Sequence, residues 1–140
     1  MLQEVLQINS FIISRQIYLQ FIYFGEGRSR VPLFVVRVIV DISVTAIPAG
    51  AFLYHTKLMD VELPALLSDI GRNSFGSCVQ LKRIRIPTNV ISIRTYAFAY
   101  CQKLVEVHLP EFLQAIEDYT FFKCHSLEFR HPIDHHCHWK

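Results

Sequence analysis

The chain repeats itself at a fixed interval, and that period limits what it can fold into. Leu58, Leu81, Leu104 and Leu127 are evenly spaced along it. A common pattern follows the first three. Val61, Ile84 and Val107 come three places later, and Leu63, Ile86 and Leu109 five later. Pro64, Pro87 and Pro110 close that short segment. Leu67, Val90 and Leu113 come next, then Ile70, Ile93 and Ile116, then Phe75, Phe98 and Phe121, then Cys78, Cys101 and Cys124. The same ruler runs backward through Val35, Val38, Val40, Val44, Ile47 and Phe52, with Asp41 in the proline place and His55 in the cysteine place.

Each unit reads as one coil of a solenoid. Leu-x-x-Ile-x-Ile alternates with period two, the pattern of a short strand with one buried face. Proline ends the strand because it has no N–H to give to a ladder. The later Val, Ile and Phe positions return toward the same interior. A single coil cannot cover its own apolar face, but stacked coils cover one another. The expected fold is a leucine-rich-repeat type solenoid. Short parallel β-strands stack one per coil, joined by irregular or short helical return segments. Residues 35–126 form four coils on this reading. Residues 1–34 are an N-terminal segment and cap, and residues 127–140 a truncated repeat and tail.

Composition agrees with one packed domain. The chain has 140 residues, 51% apolar and 19% charged, which excludes a disordered polymer. Net charge is +2, with no clustered basic footprint, so nucleic acid is not an expected partner. The apolar stretch before Phe24 is broken by Glu4, Gln7, Asn9, Arg15 and Gln16, which argues against a membrane span. It also lacks the early positive charge and small-residue cleavage site of a signal peptide, so an intracellular place is expected. Residues 1–16 fit a helical period only in part and are expected as helix or unstructured chain. Ile17 to Phe24, rich in Ile, Tyr and Phe, suits a strand. Gly25 to Arg30 reads as a loop.

The string Leu81-x-x-Ile84-x-Ile86-Pro87-x-x-Val90-x-x-Ile93-x-x-x-Ala97-Phe98-x-x-Cys101 resembles the BspA-like leucine-rich repeats, 23-residue repeats of bacterial surface proteins and of expanded protist and diatom families. The resemblance covers residues 35–126 and implies a non-catalytic module that binds proteins or surfaces. Departures are Asp41 and His55 in the first coil, and Arg130 and Pro132 in a fifth coil that begins at Leu127 and fails.

In such an array the outward strand positions form the concave face. They are Arg37 and Ile39, Asp60 and Glu62, Arg83 and Arg85, then Glu106 and His108. Stacking at ~5 Å is expected to bring Asp60 and Glu62 against Arg83 and Arg85, and those against Glu106. Arg37, Asp60, Glu62, Arg83, Arg85, Glu106 and His108 are the candidate ligand-binding residues, for an unknown protein or surface ligand. The plainer reading is a ladder of exposed ion pairs, each worth about 0–1 kcal/mol. Mixed sign excludes a phosphate-backbone strip.

The cysteine column lacks the close C-x₂-C pairs of zinc sites and reads as small buried apolar residues, with a disulfide between adjacent coils left open by the sequence. The tail holds His131, His135, His136, Cys137 and His138. Imidazole and thiolate are metal ligands, but their spacing here matches no closed zinc module, so these residues are weak metal candidates. No Gly-rich phosphate loop, G-x-S-x-G or H-E-x-x-H occurs. No enzyme and no cofactor is expected. The competing expectation is a structural segment or degenerate copy of a larger repeat protein. A self-sufficient array is expected to be monomeric.

Overall fold

A computed structural model describes residues 8–13, 16–25 and 31–128. The first two strands are β1 (Ile8–Ile13) and β2 (Gln16–Tyr23). They pair antiparallel, from Ile8 opposite Phe21 to Ile13 opposite Gln16. Helix is one expectation for residues 1–16, and β1 corrects it over its own length. The partial helical period there competes with a ladder to β2, and the ladder prevails. β2 then lies parallel to β3 (Arg37–Val40), with Gln20 opposite Arg37 and Tyr23 opposite Val40.

From β3 onward each coil contributes a front strand and a shorter return strand. The return strands are β4 (Ala46–Ile47), β6 (Asp69–Ile70), β8 (Ser92–Ile93) and β10 (Ala115–Ile116). The front strands are β3, β5 (Asp60–Glu62), β7 (Arg83–Arg85) and β9 (Glu106–His108). All stack in parallel, with Val38 opposite Val61 in front and Ile47 opposite Ile70 behind. No helix occurs among the described residues, so the return path is made of strands and turns. A two-residue strand between tight turns leaves no room for a helical turn. Among the described residues there is thus no helix long and apolar enough to cross a membrane. The loop residues 26–30 and the tail residues His131 to His138 lie outside the described residues. Leu127 and Glu128 begin the next front segment, with Glu128 N–H donating to the Val105 carbonyl at 3.1 Å.

The interior is the repeat pattern made solid. Leu58, Leu67, Ile70, Phe75, Leu81, Val90, Ile93, Phe98 and Leu104 are all fully buried. The phenylalanine rings form a column. Phe52–Phe75, Phe75–Phe98 and Phe98–Phe121 have centroids 5.1, 5.2 and 5.6 Å apart with planes 15°, 1° and 9° from parallel. Those separations exceed face contact of ~3.5 Å, so the rings are offset stacks, the favoured parallel arrangement. Tyr23 meets Phe52 edge-on at 4.9 Å, ending the column on the β2 side.

Each departure from the repeat is met by a hydrogen bond of its own. After the front strands, Leu67, Val90 and Leu113 donate to the carbonyls of Pro64, Pro87 and Pro110. In the first coil Val44 donates to Asp41, whose carboxylate also accepts from the Ser43 amide at 2.9 Å. Aspartate thus fixes by side-chain hydrogen bonding the turn that proline fixes by its ring. The thiols of Cys78, Cys101 and Cys124 donate to the carbonyls of Phe52, Phe75 and Phe98 at 3.2, 3.2 and 3.1 Å. In the first coil His55 Nε2 takes over, donating to the Val31 carbonyl at 3.0 Å. The three cysteines are free thiols. Burial pushes the Cys78 thiol up to about 12.

Two positions per coil turn through the left-handed region. Gly50, Asn73, Tyr96 and Tyr119 share one, and Tyr54, Ser77, Tyr100 and Lys123 share the other. Glycine and asparagine adopt it readily, whereas a bulky residue carries a cost of about 1–2 kcal/mol. For Tyr96, Tyr100 and Tyr119 ring contacts offset that cost. Tyr96 stacks on Tyr119 at 5.1 Å, and Phe122 stands edge-on to Tyr96, Tyr100 and Tyr119 at 6.4, 5.5 and 5.7 Å. Tyr54 is 63% exposed and has no ring contact among the described residues.

This packing has measurable consequences. Phe75→Ala removes the centre of the column and is expected to destabilise the chain by about 3–5 kcal/mol in urea unfolding. Tyr54→Asn is expected to stabilise by about 0.5–1 kcal/mol, read as a higher midpoint at unchanged slope. Iodoacetamide labelling read by mass spectrometry should leave Cys78 and Cys101 unmodified until the chain unfolds, since reaction needs an accessible thiolate.

Candidate functional site: the charged front face

Period two along each front strand sends alternate side chains outward. Val38, Val61 and Ile84 point into the core, so Arg37, Asp60, Glu62, Arg83, Arg85, Glu106 and His108 emerge on the opposite face. All seven candidates therefore share one surface.

Their pairing differs from the expected ladder. Asp60 and Glu62 do not meet Arg83 or Arg85. Both turn back to Arg37, with Nε to Asp60 Oδ2 at 3.3 Å and Nη2 to Glu62 Oε2 at 3.2 Å. The Glu62 contact is a hydrogen bond, while the Asp60 contact is an ion pair without hydrogen-bond geometry. Further along, Glu106 takes Arg83 Nε at 3.5 Å and His108 Nε2 at 2.8 Å. The face thus carries two separate charged groups, Asp60–Arg37–Glu62 and Arg83–Glu106–His108. Arg85 has no carboxylate partner among the described residues.

The division has a backbone cause. The front strands form two sheets, β1-β2-β3-β5 and β7-β9, with no ladder between β5 and β7. The return strands β4, β6, β8 and β10 form one continuous sheet. Where β7 meets β9, Ile86 N–H donates to the His108 carbonyl at 2.9 Å. The equivalent bond from Leu63 to the Arg85 carbonyl is not made. The second and third coils are hydrogen-bonded behind and lack that ladder in front. Beside this break lies a groove of about 370 Å³ lined by Arg37, Asp60, Glu62, Leu63, Arg85 and Pro87, among others.

A further charged group, on the return side, lies beyond what the sequence pattern singles out. There Arg94 donates to Asp69 Oδ1 and Glu117 Oε1, each at 3.0 Å. Glu117 Oε2 accepts from the Thr95 hydroxyl at 2.8 Å and the Thr95 amide at 2.9 Å. The Thr95 bonds, with Arg94, hold the Glu117 carboxyl below its ordinary value. Arg94 and Glu117 do share a repeat position in successive coils, which is the signal that could have found them. Asp69 stands two places off that column, so its part leaves no mark in the pattern. Among the described residues no group of three or more His, Cys, Asp or Glu is placed to hold a metal ion.

The family model described as "BspA type Leucine rich repeat region" matches residues 35–134 in six copies. A leucine-rich cell surface protein of Faecalibacterium prausnitzii is 30% identical, with a TM-score of 0.65, over 67% of this chain and 25% of that one. A leucine-rich repeat protein of Bacteroides ovatus is 27% identical, with a TM-score of 0.63, over 66% of this chain and 24% of that one. The T. pallidum leucine-rich repeat protein is 25% identical, with a TM-score of 0.69, over 86% of this chain and 66% of that one. The chain therefore spans about a quarter of the length of the first two. No curated protein matches it. Repeats of this kind generally serve as non-catalytic modules for protein or surface interactions. By its evenly spaced coils and the match over residues 35–134, the chain belongs to the BspA-type leucine-rich repeat family.

Proposed function

We propose that this chain is a non-catalytic recognition module that binds a protein or surface ligand through its front face. The observation that carries the reading is the gathering of Arg37, Asp60, Glu62, Arg83, Arg85, Glu106 and His108 on one exposed surface of the stacked strands. Solenoids use such extended faces for binding because adjacent coils present side chains at fixed spacing. The two charged groups differ in composition. Asp60 and Glu62 share a single guanidinium, while Arg83 and His108 share a single carboxylate. A partner that reads both groups carries complementary charges in a fixed order, and such complementarity sets register and rate of association.

The test is photo-crosslinking from two faces. A benzophenone amino acid at His108 labels the front, and one at Ser92 labels the return sheet. Discrete products are expected from the front alone, reduced about tenfold or more by R83E/R85E and weakened by added salt. Identical products from both faces, or products indifferent to R83E/R85E, would place recognition elsewhere.

A further inference from the structure

The groove between β5 and β7 has an unusual inventory. One wall carries Asp60 and Glu62, two carboxylates that share the guanidinium of Arg37. The other carries Arg85, which has no carboxylate partner among the described residues. Glu62 and Arg85 occupy the same repeat position in successive coils, yet no ion pair joins them. Between the walls lie the half-buried apolar side chains of Leu63 and Pro87, which make a small apolar floor. The backbone adds a donor, because the Leu63 N–H lacks the interstrand bond that Ile86 makes in the next coil.

We propose that this groove binds a small zwitterion with an aliphatic side chain, an α-amino acid or a dipeptide with both termini free. The inference rests on the reading of the front face as the recognition surface, and it names a ligand class for that face. The carboxylate of the ligand pairs with Arg85, whose planar fork suits two parallel hydrogen bonds. The Leu63 N–H, next to Glu62 on the facing wall, supplies a further donor. The ammonium lies against Glu62 and Asp60, where one guanidinium leaves a negative surplus. The aliphatic side chain covers the floor. An opposite-charge pair held apart across an apolar gap is what a bound zwitterion bridges. The volume suits it too, since about 370 Å³ lies at the small end of ligand pockets. The groove lies along the break in the front sheet.

The experiment uses the full 140-residue chain, isotope-labelled and titrated with the dipeptide Leu-Leu. Acetyl-Leu-Leu removes the ammonium, and Leu-Leu-amide removes the carboxylate. Saturable amide shifts are expected at residues 60–65 and 83–88, with each capped derivative binding about tenfold weaker or worse. Arg85→Gln should erase the difference between Leu-Leu and its amide. Glu62→Gln should reduce the difference between Leu-Leu and its acetyl form. Both substitutions are on exposed side chains, so the spectra of the variants should otherwise be unchanged. Absence of saturable shifts overturns the proposal, as does equal binding of capped and free peptides. A direct Arg85–Glu62 pair closing the groove gives the first of these results. If front-face cross-linking persists while Leu-Leu fails to bind, the ligand class falls and the recognition face stands. If Leu-Leu binds and no front-face cross-link forms, the zwitterion site stands and the protein-binding reading falls.

Discussion

Four phenylalanine rings stacked in a column set the dimension on which everything else in this protein depends. Phe52, Phe75, Phe98 and Phe121 hold successive coils 5.1–5.6 Å apart, ring centre to ring centre. That interval is close to the ~4.8 Å separation of hydrogen-bonded strands. Aromatic packing and backbone pairing therefore ask for nearly the same spacing. The column also fixes rotation, because a ring that stacks on its neighbour cannot drift around the coil. Strands, turns and buried thiols then fall into vertical files. Leucine and isoleucine complete the interior between them, and the burial of such side chains at ~25 cal/mol per Å² is the main force holding the coils together.

Against that regular interior, the front and the return sides behave differently. The return sheet runs unbroken from β4 to β10, while the front sheet parts between β5 and β7. Charge placement follows the same division. Arg94 links three coils on the return side by bonding Asp69 in the coil before and Glu117 in the coil after. In front, Arg37 gathers both carboxylates of the second coil and leaves none for the third. A repeat array has no need to distribute its bonds evenly, since each junction makes its own contribution to stability. The uneven junction is the one that offers polar groups and space together.

The interior is legible in the sequence because it is periodic. Leu81, Ile84, Phe98 and Cys101 each recur in the neighbouring coils in the same or a closely similar form, and a recurring residue type identifies a recurring environment. The outward faces of Arg37, Asp60 and Arg83 are legible for the same reason, since strand alternation follows from the buried positions. Their partners are not. Whether Glu62 bonds Arg37 or Arg85 depends on side-chain rotation and on a ladder between β5 and β7, and neither leaves a mark in residue order. β1 is ambiguous in residue order, because its apolar residues fit two periods and only the β2 ladder decides between them. The left-handed tyrosines are hidden for a different reason. Tyr54, Tyr96, Tyr100 and Tyr119 stand where turn chemistry favours glycine or asparagine, so nothing about the residue type announces the turn.

The stitching of the phenylalanine turns bears on how such a chain changes over generations. Cys78, Cys101 and Cys124 each bond a carbonyl of the coil before, while the Phe52, Phe75 and Phe98 amides each bond a carbonyl of the coil after. Every junction therefore has the same two halves, and any coil that carries both can follow any other. Unequal crossing-over that adds or removes one whole repeat rejoins matching halves wherever in the coil the exchange falls. An exchange of any fraction of a repeat leaves a thiol or an amide facing the wrong atom and breaks the file of rings. The gene for an array like this can lengthen or shorten freely, but only in whole steps.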